Sequence, residues 1–382
     1  MSAHSRIDAR AARWRPGPTL RRLALTVLGL ALAITATLAL EPYRAYQAAV
    51  VAAYLCATAG LTLLVGRGGQ LSLGHAALMA AGAYGFGLTS NALSAADVAG
   101  PVRLLVPLAV GVASAAALGA LLGAAGARLR GPYLAGLTLA VVVAVPAITS
   151  TFSRTLGGDR GLWIEIERRP EALRPYVGAE QWQAWVALAA AALVLFVLGN
   201  VGSGSAGRQI AAVRDDEAAA RLAGIDVTRV KVATFTLSAA AAGLGGAVLA
   251  YVTQIANPGA YSLVFSLFLV VAVVVGGLGS LAGAFWGALL LVALPELTSS
   301  VTDALPVSAG LAQRLDGNLA VLVFGVLLIV LMIAAPRGIQ GALTAARRRD
   351  MRPRRPARGA TPAPGPAAQT QGDPAARAPT AG

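Results

Sequence analysis

Cysteine is nearly absent. Cys56 is the only one and it lies in an apolar run, so neither a disulfide framework nor a cysteine metal site can be built. Histidine occurs only at His4 and His75, too few for a histidine-rich metal site. Charge is also scarce: 13% of residues are charged, where a soluble domain carries about 25%. With 57% hydrophobic residues, that balance points to a polytopic membrane protein. There is no Gly-x-x-x-x-Gly-Lys-Ser/Thr stretch, so the chain has no phosphate-binding loop with which to hydrolyse ATP. The apolar stretches hold no facing acids and no nucleophile–base pair. His75 has no acid near it and Glu296 stands near a segment end, which argues against an intramembrane enzyme.

What the chain does have is a series of apolar stretches of about 20 residues without strict alternation, which implies helices rather than a barrel. They fall near 23–40, 45–65, 68–90, 102–127, 133–152, 184–198, 232–252, 262–275, 281–294 and 319–335. The expected fold is therefore an all-α polytopic membrane protein of about ten segments. Arg21 and Arg22 before the first stretch also suit a signal peptide, but the apolar run is long for one and no small-x-small cleavage site precedes Glu41. A retained span is the preferred reading. Two stretches are interrupted by glycine, at 68–84 and at 276–280. Such breaks occur in membrane helices where protein or a water-filled cavity covers the freed backbone. A pair of them in the two halves of a chain is what an inverted-repeat transporter would show.

The net charge of +14 is concentrated at the ends. Residues 1–22 carry +5 and residues 336–382 carry +7. Both read as basic flanks beside an anionic leaflet, with no call for nucleic acid. An even number of spans puts both ends on one side, and the positive-inside rule makes it the cytoplasm. The expected organisation is a basic cytoplasmic segment (1–22), a transmembrane domain (23–343) and a disordered basic tail (344–382) rich in Arg, Pro, Ala and Gly. The loop at 153–183 is long and neutral, with five arginines against five acids, and belongs outside.

One polar stretch stands out among the apolar ones, 205–231, the only place with a lysine (Lys231). Alanine and arginine favour helix there, Glu217 and Arg221 are spaced for an i,i+4 pair, Gly224 fits a helix-ending position, and Asp226 can cap the next helix. A charged helix-turn-helix between two spans is a docking surface; the plainer alternative is a solvated connector.

Several ordered blocks carry a family resemblance. Arg214-Asp215-Asp216-Glu217-Ala218-Ala219 followed by Gly224-Ile225-Asp226 resembles the cytoplasmic coupling loop of the branched-chain amino-acid permeases of ABC importers. Gly69-Gln70-Leu71-Ser72-Leu73-Gly74-His75-Ala76-Ala77 resembles the signature near the start of those inner-membrane subunits. So do Gly131-Pro132-Tyr133-Leu134-Ala135-Gly136, the block from Val275 to Pro295-Glu296, and Pro336-Arg337-Gly338. Where relatives have Thr-Gly-Gly, this chain has Leu156-Gly157-Gly158, a departure that bears on the solute.

The resemblance covers about residues 45–343 and implies a non-enzymatic permease of the bacterial inner membrane, multi-pass, binding no cofactor itself. It implies partners: ABC ATPase subunits that use the ATP, a second homologous permease, an extracytoplasmic solute-binding protein and membrane lipid. ATPase coupling falls on Arg214, Asp215, Glu217, Ala218, Ala219 and Gly224. The translocation pathway falls on Gln70, Ser72, Gly74, His75, Gly276, Gly277, Gly279 and Ser280. For His75 a bond to a neighbouring helix is the competing reading. Neither glycine-rich segment carries a fixed charge, which suits a net-neutral solute: leucine, isoleucine or valine first, urea or a short amide next. A passive polar-solute channel is the alternative of another class.

Overall fold

The computed structural model describes residues 18–128, 133–166, 169–170, 173, 175–304, 322–323, 325–326, 329–330 and 338–350. Its residues group into two compact units, Met1–Leu343 and Thr344–Gly382. The chain is an all-α polytopic membrane protein. Among the described residues, six helices are long and apolar enough to cross a membrane, at Thr19–Leu38, Pro42–Arg67, Val102–Arg128, Tyr133–Thr151, Ala179–Ser203 and Val227–Thr253. Two shorter apolar helices, Leu263–Gly277 and Leu281–Leu297, accompany them. The segment expected near 319–335 lies mostly outside the described residues.

In chain order the helices are α1 (Pro18–Leu38), α2 (Pro42–Leu61), α3 (His75–Ala95), α4 (Val102–Arg128), α5 (Tyr133–Thr151), α6 (Ser153–Leu156), α7 (Ala179–Ser203), α8 (Ser205–Asp215), α9 (Glu217–Leu222), α10 (Val227–Thr253), α11 (Leu263–Gly277), α12 (Leu281–Ala304) and α13 (Gly338–Asp350). Two expected boundaries move. Helix α1 already includes residues 18–22, because proline suits a first helical turn and the residues after it favour helix. Helix α13 runs past 344 to Asp350 on an alanine- and arginine-rich stretch with high helix propensity.

Helix α10 is the centre of the bundle, packed on α4, α3, α2 and α7. From Ser238 to Val252 it is buried almost all round. Its sequence explains how: Gly243, Gly245 and Gly246 sit among alanines, so neighbouring backbones come close. A Cβ on Gly246 would fall on the Met79 carbonyl of α3, and one on Gly245 would come 2.5 Å from the Ala53 carbonyl of α2. Helix α3 is not among the six apolar spans, since it carries serine, threonine, asparagine and three glycines. Protein covers it instead.

Helix α1 lies along α7. Arg22 donates to Asn200 Oδ1 at 3.3 Å, and Trp185 Nε1 donates to Thr37 Oγ1 at 2.8 Å. The 153–183 connection is pinned too. Strands β1 (Leu162–Trp163) and β2 (Ile255–Ala256) pair antiparallel, so the connection lies across the far end of α10.

The close approach at Gly246 makes a prediction. Gly246→Val should lower the thermal stability of the detergent-solubilised protein, with overpacking costing about 1–3 kcal/mol or more. Gly136→Ala on α5 is the control, since its Cβ would meet nothing within 4 Å. Equal melting temperatures for the two variants would contradict the seam.

Candidate functional site

The 205–231 stretch folds as a compact surface unit. On α8, Gly207, Ile210 and Val213 turn inward. Asp216 breaks from α8 with φ −157° and caps α9, its Oδ1 accepting from the Ala218 and Ala219 amides at 2.8 and 3.0 Å. Helix α9 ends at Gly224, which takes φ +80°, with the Ile225 amide reaching back to the Ala220 carbonyl at 3.0 Å. Asp226 Oδ1 then accepts from the Arg229 amide at 3.0 Å and starts α10. Val213, Ala220 and Val227 form a small core of their own under the turn. The segment is therefore structured, not a loose connector.

Its outer face carries Ala218, Ala219, Ala223 and Gly224, all exposed, and Leu222, which is 91% exposed. Several of the charged side chains, although exposed, pair within the chain. Glu217 pairs with Lys231 and lies 3.9 Å from Arg221. Arg214 donates to Asp215 Oδ1 at 2.7 Å, and its Nη1 donates to the Gly66 carbonyl at 3.1 Å. Of the six residues expected to couple, the three charged ones thus hold the segment together and against the break, while the alanines and Gly224 face outward.

The first break begins earlier than expected. Helix α2 continues into a π-helical turn, Thr62–Arg67, and the irregular stretch ends at Gly74; from His75 the helix is regular. Several of the freed groups are partnered. The Gly68, Gly69 and Gln70 amides bond back to the Leu63, Val65 and Leu64 carbonyls at 3.0, 3.2 and 3.1 Å. The Leu73 amide donates to Thr138 Oγ1 at 3.0 Å and the Ala76 amide to Ser266 Oγ at 3.3 Å. Gln70 Nε2 donates to the Lys231 carbonyl at 3.4 Å. Ser72 and His75 are fully buried, and neither Ser72 Oγ nor either ring nitrogen of His75 has a partner among the protein atoms. The reading of His75 as bonded to a neighbouring helix is not what the structure shows.

The second break joins α11 to α12 through Leu278, Gly279 and Ser280, with Gly277 at φ +124° and Gly279 at φ +80°. Gly276 and Gly277 are buried; Gly279 and Ser280 are half-buried. The two breaks meet: a Cβ on Gly66 would overlap the Gly279 backbone. Arg67 ties them, donating from Nε to the Gly279 carbonyl at 3.4 Å and from Nη1 to the Gly202 carbonyl at the end of α7. The fold thus gathers the start of the first break, the second break and the α8–α9 turn into one region. Residues 72–75 lie further along, against α5 and α11.

Sequence reasoning missed four contributors. Arg67 is one, although an arginine beside a glycine pair at a helix break is a natural backbone clasp. Leu222 passed as an ordinary helix residue, and Thr138 and Ser266 gave no signal because their role is to meet amides far away in sequence.

A family model described as branched-chain amino acid transport system / permease component matches residues 43–332. The high-affinity branched-chain amino acid transport system permease protein LivM of Salmonella typhimurium is 31% identical over 307 residues, which cover 75% of this chain and 67% of that protein. Its namesake from Escherichia coli is 28% identical over 344 residues, 85% of this chain and 76% of that protein. No solved structure matches.

The clasp can be tested by stability alone. Arg67→Ala should cost about 1–3 kcal/mol, the range for losing hydrogen bonds to a charged group in a partly buried place. Arg67→Lys should recover part of it. A thermal melt unchanged by Arg67→Ala would mean that the two carbonyl contacts do not hold the breaks together.

Proposed function

Since the chain belongs to the branched-chain amino acid transport permease family, we propose that it is the membrane subunit of an ABC importer for leucine, isoleucine and valine, energised by separate ATPase subunits that dock on 205–231. The observation that carries this reading is the link between surface and break: Arg214 on α8 holds Gly66, and the Lys231 carbonyl holds Gln70. A partner pushing on α9 would act through these bonds on the first break, and through Arg67 on the second. The exposed alanines and Leu222 supply a small apolar face for such a partner. A second, homologous permease would complete the pathway, and a solute-binding protein would deliver the cargo from outside.

The pathway in this reading runs past Gln70, Ser72, Gly74, His75, Gly276, Gly277, Gly279 and Ser280. Glycine breaks offer backbone groups to the polar ends of a neutral solute, as in transporters with discontinuous helices. Ten segments, with the two breaks as counterparts in an inverted repeat, and both termini in the cytoplasm complete the proposed architecture, with 344–382 as a basic tail. Urea or a short amide is the second choice of cargo.

Three measurements test this reading. In the reconstituted complex, labelled leucine uptake should be competed by isoleucine and valine; competition by sugars or anions alone would refute the cargo. Leu222→Asp should cut ATP-driven uptake by about tenfold or more, as expected when a charge is buried in an apolar contact, without lowering the protein's melting temperature. Undiminished uptake would place the ATPase contact elsewhere. For orientation, a cysteine at Tyr176, which is 83% exposed, should react with an impermeant maleimide in intact cells, since native Cys56 is fully buried. Reaction only after lysis would invert the topology.

A further inference from the structure

A cavity of about 280 Å³ lies far from both breaks. Its walls include Phe86 of α3, Arg103 and Leu104 of α4, Ile166, Trp182 of α7 and Tyr251 of α10. Phe86 is eleven residues beyond His75, or about 16 Å along α3 at 1.5 Å per residue. Tyr251 stands near the end of α10 away from the α8–α9 turn. The lining is almost wholly apolar and aromatic, with Phe86 and Tyr251 meeting edge-on at 6.1 Å between centroids. The size is at the small end for ligand pockets, suited to a metabolite of a few heavy atoms.

The polar groups at this cavity are few and unusually placed. Arg103 Nη2 donates to Ser94 Oγ at 2.7 Å, but its Nε is buried without a partner. Ser94 Oγ in turn donates to Glu165 Oε2 at 2.7 Å, so an acid stands one side chain away from the arginine. Glu165 is not itself a wall. It is held at that distance by its backbone, whose amide donates to Asn91 Oδ1 and whose carbonyl accepts from Ser90 Oγ, each at 2.8 Å. A buried donor with nothing to donate to is costly unless a ligand supplies the acceptor. One free guanidinium N–H calls for a carboxylate oxygen, and a nearby fixed acid calls for a cation beside it. The apolar walls call for a hydrocarbon body. A phosphate would want more than one cation, and a fatty acid would meet Glu165 unfavourably.

We propose that this cavity is a second binding site, for a zwitterionic amino acid with an aliphatic side chain: Arg103 takes the carboxylate, Glu165 the ammonium, and Phe86, Leu104, Ile166 and Trp182 hold the side chain. It is a loading site at the end of the bundle away from the α8–α9 turn. The proposal rests on the substrate class of the transport reading, but its test needs no transport.

Trp182 serves as the reporter. The complete complex in lipid nanodiscs, without binding protein, is titrated with L-leucine while tryptophan emission is followed. The expected result is a saturable change that Trp182→Phe removes and that Arg103→Gln shifts about tenfold or more to higher leucine, with Arg103→Lys in between. Glu165→Gln, a second variant should Arg103→Gln fail to fold, weakens leucine by a similar factor. The wild type binds 4-methylpentanoate, which lacks the ammonium, and 3-methylbutylamine, which lacks the carboxylate, about tenfold less tightly or worse. No saturable change, or affinities untouched by Arg103→Gln and Glu165→Gln, overturns the site. Equal binding of 4-methylpentanoate overturns the zwitterion assignment. Leucine uptake by the wild-type complex is measured in parallel. Uptake without cavity binding leaves the transport reading standing and rejects the site; cavity binding without uptake does the reverse.

Discussion

A helix can stop inside hydrocarbon only where other protein groups take up the amides and carbonyls it releases, because no water is there to do so. The rest of this chain follows from meeting that constraint twice. At the first break the π-helical turn recovers three amides from within, and Thr138 and Ser266 receive two more from helices distant in sequence. Gly66 passes its carbonyl to Arg214, and Gly279 passes its carbonyl to Arg67. Each partner belongs to a different part of the chain, so satisfying the backbone also joins those parts. Arginine suits the task, since its planar fork can reach two carbonyls at once.

The same arrangement makes the α8–α9 unit more than a surface decoration. Its charges pair within the chain: Glu217 with Lys231, Arg214 with Asp215 and the Gly66 carbonyl. Exposed ion pairs of this kind contribute little stability each, about 0–1 kcal/mol. Their effect is to orient the turn relative to the bundle while leaving small apolar side chains outside. The exposed face thus carries alanine and leucine beside paired charges.

Helix α10 supplies the rigid reference for such movement. It is close-packed through glycine and alanine, where backbones approach within the reach of a single Cβ. Long side chains could re-pack around a shift, but backbone against backbone leaves nothing to rearrange. The cavity at the far end is built from the same helices, so its walls are fixed by the same packing.

The sequence by itself determined the class of fold, the places where helices break and the identity of the surface unit. Hydrophobic run length, glycine position and local capping are all short-range properties, and Asp216, Gly224 and Asp226 act within a few residues of themselves. It also carried the family, through ordered blocks. Only the tertiary structure decided that the two breaks touch, that Arg67 and Arg214 clasp them, and that Arg103 and Glu165 meet through Ser94 over an apolar cavity. Apart from Arg103 with Ser94, only 9 positions apart, these contacts join residues separated by about 70 to more than 200 positions. No local pattern encodes them, because a carbonyl or a hydroxyl looks the same in sequence whether or not a distant donor reaches it.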